Sequence, residues 1–211
     1  SPSSLMLPGA RADRLCHMFP RSQLGNAVPT EEPVIFLKSS SAVRSLEGGQ
    51  IAFAGEVFHH EIELLLLVGQ HVPLGTLAEG SELDCVHGVG LGLDLTRRKK
   101  QTELKKAGLP WTLAKSFCGA ALLSPFTAVA AADLADISFE LHVNGERKQH
   151  GHVSQMIFDV PFQLRYLNSF VPLLPGDVIF TGTPSGVGPI AQGDRISLSF
   201  ATPRSLSHLS F

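Results

Sequence analysis

Five apolar residues in a row, Leu64-Leu65-Leu66-Leu67-Val68, stop at Gly69 and are entered through His59-His60-Glu61-Ile62-Glu63. A half-buried strand alternates apolar with polar side chains, whereas an unbroken run suits a strand covered on both faces. Periodicity alone leaves a buried helix open as well. The run is far short of the roughly 18 residues that cross a bilayer. Side chains at i and i+2 of a strand share a face, so Glu61 and Glu63 project together at the mouth of this run. As a strand, the run would be covered on both faces with two carboxylates at its entrance, held by a cation between them or, alternatively, solvated on an exposed strand face.

The rest of the chain supplies strands more often than helices. Residues 33–38 read as a short strand, 39–50 as polar turn, and 86–95 (VHGVGLGLDL) as a second buried strand. Residues 96–107 are rich in helix formers and close on Gly108 and Pro110. Residues 137–143 alternate in period two up to Asn144-Gly145, a strong hairpin signal. A helix is expected over 156–170, a strand over 177–180 leading into the turn-rich 181–189, and a closing strand over 195–200. Strands and helices do not alternate regularly, which favours a mainly β, α+β fold over a doubly wound sheet. Residues 1–30, rich in Pro, Gly and Ser, read as an N-terminal arm or lid, and 31–211 as one catalytic domain.

Composition removes several classes of function. With 211 residues and a net charge of −2, the chain lacks the basic excess needed to bind nucleic acid or an anionic membrane. Hydrophobic residues at 44% against 17% charged exclude disorder over most of the length. No apolar run is long enough to span a membrane. Cys16, Cys85 and Cys118 form no CxxC pair and read as free thiols of a reducing cytoplasm. The first residues lack the basic and apolar regions of a signal peptide.

Asp94 is a lone acid inside the apolar run Val89-Gly90-Leu91-Gly92-Leu93-Asp94-Leu95. A buried aspartate needs a partner. Arg97 or Arg98 would supply one as a salt bridge; alternatively Asp94 joins Glu61 and Glu63 around a cation. Three carboxylates suit a hard ion, Mg2+ or Mn2+, and not zinc, which prefers His and Cys. His59 and His60 then take structural roles beside the acids. Lys115, among apolar and small residues, is a candidate for holding a substrate oxyanion, or else a surface lysine with a buried stem. The loop Thr181-Gly182-Thr183-Pro184-Ser185-Gly186-Val187-Gly188 offers hydroxyls and amides, but no Gly-Lys-Ser/Thr follows, so it is not a Walker loop.

Together these elements resemble the fumarylacetoacetate hydrolase family, in its small acylpyruvate-hydrolase-like or fumarylpyruvate-hydrolase-like branch. The matching stretches are LGNAVPTEEPVIFLK (24–38), HHEIEL (59–64), LGLDLTRR (91–98), KKAGLPWTLAKSF (105–117), VNGERKQHG (143–151), MIFDVPF (156–162) and LLPGDVIFTGTPSGVGPIAQGD (173–194). The resemblance implies a mixed β-sheet roll or sandwich of the family's C-terminal-domain type, assembled as a homodimer. It places Glu61, Glu63 and Asp94 on Mg2+/Mn2+ ligands and Lys115 on the active-site lysine. It places Arg98, Gln101 and Thr183 at the 2-oxo-acid end of the substrate.

The first functional expectation is a metal-dependent hydrolase cleaving a C–C bond of an acylpyruvate or fumarylpyruvate. Cleavage beside a carbonyl leaves an enolate, which a divalent cation and Lys115 stabilise. Hydrolysis also needs a base to activate water. The branch carries a His and, three residues on, a Glu on a lid helix; here Pro20 and Gln23 stand at those positions. His17 is the histidine left in that segment to act as base. Lys99 stands where the family has Asp, which is expected to loosen Arg98. Oxaloacetate decarboxylation or keto–enol isomerisation needs no activated water and survives these departures more easily. A catalytically silent binding protein is the third reading.

Overall fold

The computed structural model describes residues 15–19, 32–47, 51, 56–202 and 205–210. Its strands are β1 (Leu15–Phe19), β2 (Val34–Lys38), β3 (Val43–Ser45), β4 (Phe58–His60), β5 (Ile62–Val68), β6 (Val86–Asp94), β7 (Ala121–Leu123), β8 (Ser138–Val143), β9 (Glu146–His152), β10 (Val178–Phe180), β11 (Gly188–Ile190), β12 (Ile196–Thr202) and β13 (Ser205–Ser210). The helices are α1 (Arg98–Lys106), α2 (Thr112–Lys115), α3 (Ala131–Leu134) and α4 (Val160–Asn168). A mixed sheet runs β2-β1-β10-β5-β6-β7-β3, an antiparallel sheet runs β13-β12-β8-β9, and β4 pairs with β11. The architecture is mainly β with few helices, as expected.

The apolar run is β5, and it is covered on both faces. Leu64, Leu66 and Val68 belong to the main core, with Leu91 and Leu93 of β6 and Phe139, Leu141, Leu198 and Phe200 of the four-stranded sheet. Leu65 and Leu67 face the other way, into a smaller cluster with Ala121, Val178 and Phe180. This two-sided burial explains why no polar residue interrupts the run.

Elements with strong local signals stand near their expected places. Asn144 (φ 54°) and Gly145 (φ 81°) form the left-handed turn between β8 and β9. Helix α4 starts at Val160, later than expected, because the Asp159 carboxylate caps the Phe162 amide at 2.8 Å and Pro161 occupies the first turn. The turn over 39–50 contains the three-residue β3, which pairs parallel to β7, and β13 adds an edge beyond β12. Three residues are too few for β3 to show a strand period in the sequence.

Within the segment expected as arm or lid, Leu15–Phe19 is a strand between β2 and β10, with His17 opposite Phe36 and Phe180. The backbone of the proposed base therefore belongs to the main sheet and not to a lid helix. Pro20 and Gln23 lie outside the described residues.

Removing a side chain from a sheet packed on both faces leaves a void that cannot collapse easily. Leu66→Ala is expected to cost about 2–5 kcal/mol in denaturant unfolding, whereas Leu37→Ala, at a position 55% exposed, should change stability by less than about 0.5 kcal/mol.

Candidate active site

Strand register builds the acidic cluster. In the β5–β6 ladder Ile62 pairs with Leu93 and Glu63 with Gly92, and the Asp94 amide donates to the Glu61 carbonyl at 2.9 Å. Glu61 and Asp94 are thus directly opposite, with Glu63 two residues along on the same face. Gly92, opposite Glu63, is required by space: a Cβ there would meet Leu65 and Phe180 carbons at 2.9 Å. Glu61, Glu63 and Asp94 are fully buried, and one oxygen of each lies within 4.8 Å of the others.

Three cationic side chains from separate elements meet this cluster. Lys115, at the end of α2 and fully buried, donates from Nζ to Glu61 Oε2 at 2.7 Å and Asp94 Oδ2 at 2.5 Å. Its Nζ also stands 5.4 Å from the centre of the Phe36 ring. Lys38, at the end of β2, pairs with Asp94 Oδ1 at 2.7 Å and donates to the carbonyls of Ala120 (2.9 Å) and Lys115. Arg98, at the start of α1, pairs with Glu61 and donates to Gln101 Oε1 at 2.7 Å. The Gly182 amide donates to Glu63 Oε2 at 2.6 Å.

The protonation of the site follows from burial and these charges. Burial, then the Asp94 and Glu61 charges, push the Glu63 carboxyl well above the usual carboxylate range; Lys115 and the Gly182 amide pull the other way. Burial works against the charged form of Lys115, but Asp94 and Glu61 overcome it and raise the pKa above that of an ordinary lysine. For Lys38, burial prevails and, with the Lys115 charge beside it, lowers the pKa despite Asp94. His59 is held below the ordinary histidine value by burial and by the Arg98 charge. His60 is lowered by burial, and its hydrogen bond to Gln149 opposes the shift.

These donors fit a hard divalent cation. All three are carboxylates, they converge, and one is driven toward protonation by burial and then by the other two, a conflict that a dication among them would relieve. The His60 ring bonds through Nδ1 to Gln149 at 2.8 Å, the structural role expected of it.

Among the described side chains, hydrogen bonds bring together Glu61, Asp94, Lys115, Arg98 and Gln101, and two expectations change. Asp94 pairs with Lys38 and Lys115, not with Arg97 or Arg98; Arg97 reaches Glu56 instead. Arg98 is not left loose by Lys99, because Glu61 and Gln101 both hold it. Gln101 is buried in the first turns of α1. Thr183 is buried in the loop after β10, one residue from the amide that binds Glu63, and its Oγ1 accepts from Gln149 at 2.8 Å. Sequence reasoning missed Lys38 and Gln149. Lys38 carried a signal, a lone charge closing an apolar strand, the same pattern that singled out Asp94.

Two outcomes follow. Lys38→Met leaves buried Asp94 short of one cation and should destabilise the metal-free protein by about 3–5 kcal/mol in denaturant unfolding. A dication requires ionised Glu63, whose pKa is raised in the metal-free protein, so binding expels a proton. Calorimetric titration with Mg2+ should give tighter binding at about pH 8 than at about pH 6, by up to about tenfold per pH unit while Glu63 is protonated.

Comparison with known proteins identifies the family of the chain. The family model described as fumarylacetoacetate (FAA) hydrolase C-terminal matches residues 14–208. The chain is 40% identical over 177 residues to the oxaloacetate tautomerase FAHD1, mitochondrial, of Bos taurus, covering 82% of this chain and 78% of that protein. It is 38% identical over 185 residues to the oxaloacetate tautomerase YcgM of Escherichia coli, covering 84% and 81%. The crystal structure of fumarylpyruvate hydrolase from Pseudomonas aeruginosa in complex with Mn2+ and pyruvate superposes with a TM-score of 0.83 at 28% identity, covering 99% of this chain and 94% of that one. No helix among the described residues is long and apolar enough to cross a membrane. The bovine relative is described as mitochondrial, which lends no support to a cytoplasmic location. On the match over nearly its whole length, the chain belongs to the fumarylacetoacetate hydrolase family.

Proposed function

We propose that this protein is a divalent-metal-dependent tautomerase that interconverts the keto and enol forms of a 2-oxo acid, oxaloacetate in particular. The observation that carries the reading is the buried Glu61–Glu63–Asp94 cluster with the Lys115 ammonium against it. The choice of reaction is supported by relatives described as oxaloacetate tautomerases at 38–42% identity.

Tautomerisation passes the C3 proton to solvent, turns the C3–H electron pair into the C2–C3 double bond and moves the carbonyl π pair onto oxygen, which then takes a proton from solvent. The barrier lies in the negative charge gathered on that oxygen. Mg2+ or Mn2+, held by Glu61, Glu63 and Asp94, would supply Lewis-acid stabilisation of that charge. Lys115 stays protonated and adds a fixed positive centre in a buried, low-dielectric place. Arg98 and Gln101, locked together on α1, present donors to the acid end of the substrate. Thr183 adds a hydroxyl from the opposite loop. The same reading retains a single catalytic domain acting as a homodimer on a small 2-oxo acid.

Hydrolysis of a C–C bond in an acylpyruvate or fumarylpyruvate is the second reading, supported by the likeness to the Mn2+- and pyruvate-bound fumarylpyruvate hydrolase. It shares the enolate but requires activated water. Its expected base, His17, has its backbone in β1 of the main sheet. Tautomerisation needs no such base for water.

The test follows loss of enol absorbance in oxaloacetate, with and without Mg2+, and pyruvate release from acetylpyruvate. Oxaloacetate should equilibrate faster with protein and metal, and chelation should abolish the effect. Asp94→Ala should lower kcat/KM by at least about 100-fold. Pyruvate release from acetylpyruvate without acceleration of the oxaloacetate equilibrium would favour the hydrolase; neither activity would refute both.

A further inference from the structure

Gln149, on β9 of the four-stranded sheet, is 1% exposed and lies between the two halves of the site. Its Oε1 accepts from the Ile62 amide at 3.1 Å and meets His60 Nδ1 at 2.8 Å. Its Nε2 donates to Thr183 Oγ1 at 2.8 Å and to the Pro184 carbonyl at 2.9 Å. The orientation of the amide is fixed by its backbone partners, since an N–H can only donate and a carbonyl can only accept. Both hydrogens and both lone pairs of the side chain are therefore committed.

Two consequences follow from this direction. Nε2 has no lone pair to offer, so the Thr183 oxygen accepts here and its hydroxyl hydrogen is directed elsewhere than Gln149. Oxygen Oε1 accepts, so His60 Nδ1 carries the hydrogen. The 181–188 loop is also seated on β9 by close approach: a Cβ on Gly186 would lie 2.0 Å from the Lys148 carbonyl oxygen. One amide side chain thus ties the start of β5, where Glu61 and Glu63 emerge, to the loop that carries Thr183 and the Gly182 amide.

We propose that Gln149 is a positioning residue that orients the Thr183 hydroxyl as a hydrogen-bond donor to the oxygen-rich end of the bound 2-oxo acid. The inference deepens the functional reading above and rests on it. Gln149 acts through Thr183, so the two substitutions must not be independent.

The experiment is a double-mutant cycle of Gln149→Met and Thr183→Val. It is read by steady-state kinetics on oxaloacetate with Mg2+ and by calorimetric binding of oxalate to the Mg2+-loaded protein. Each single variant should raise KM about tenfold and weaken oxalate binding about equally, the loss of one substrate hydrogen bond, with kcat changed less than about threefold. The double variant should be no weaker than Thr183→Val alone. Additive losses, equal falls in kcat and in affinity, or a Gln149→Met protein with unchanged KM would overturn the proposal. If Gln149→Met does not fold by circular dichroism, Gln149→Glu takes its place in the cycle: it keeps the acceptor for Ile62 and His60 and removes the donors. Its carboxylate accepts from the Thr183 hydroxyl and turns that hydrogen away from the substrate, so Gln149→Glu should weaken oxalate binding in the Thr183 background more than in the Thr183→Val background. A parent protein that binds oxalate without accelerating oxaloacetate tautomerisation would refute the activity and leave the coupling to be read from oxalate. A parent that does neither would overturn the inference together with that activity.

Discussion

Glu61 and Asp94 face each other across two buried strands, and Glu63 stands beside them on the same face. Unit charges about 5 Å apart repel by about 3 kcal/mol at an effective dielectric near 20, and burial adds a desolvation cost to each. Such a cluster is relieved by positive charge around it and by uptake of a proton, toward which Glu63 is pushed. The protein answers with Lys38 from β2, Lys115 from α2 and Arg98 from α1, each reaching in from a different part of the chain. The electrostatic need of three carboxylates therefore fixes where three other elements sit.

The fold gives this cluster its dryness. Because β5 is covered on both faces, the carboxylates at its entrance are shielded by the same packing that buries its leucines. The four-stranded sheet does more than cover the core. Its strand β9 reaches across through Gln149 to the 181–188 loop, so the loop hydroxyl and the metal-type carboxylates share a common support. Rigid sheets holding a few convergent polar groups meet the geometric demands of catalysis better than loops alone.

The same arrangement explains why one family spans tautomerases and hydrolases. Both reactions pass through an enolate, and both draw on charge stabilisation at the carbonyl oxygen. They part over water: hydrolysis needs a base aimed at a solvent molecule, and tautomerisation does not. In this chain the acidic cluster and its cationic partners are assembled from described residues, whereas Pro20 and Gln23, which stand where the resemblance led us to expect a lid dyad, lie outside them.

The order of residues alone determined much of this. The unbroken Leu64–Val68 run favoured a strand buried on both faces, Asn144-Gly145 marked a tight hairpin, and acids at i and i+2 with a lone Asp94 in an apolar run pointed to positive charge between them. These features rest on short-range geometry, which a linear sequence records. It did not record which cations answer the acids. Arg97 and Arg98 were nearest to Asp94 along the chain, yet Lys38 and Lys115 meet it, because sheet register and the α2 turn bring distant backbone close. Gln149 was equally invisible: its role exists only where β9 crosses β5 and the 181–188 loop, and no spacing along one strand encodes a contact among three. Local periodicity thus decided which surfaces are buried, and only the tertiary packing decided which buried polar groups meet, since pairing energies depend on distance through space and not along the chain.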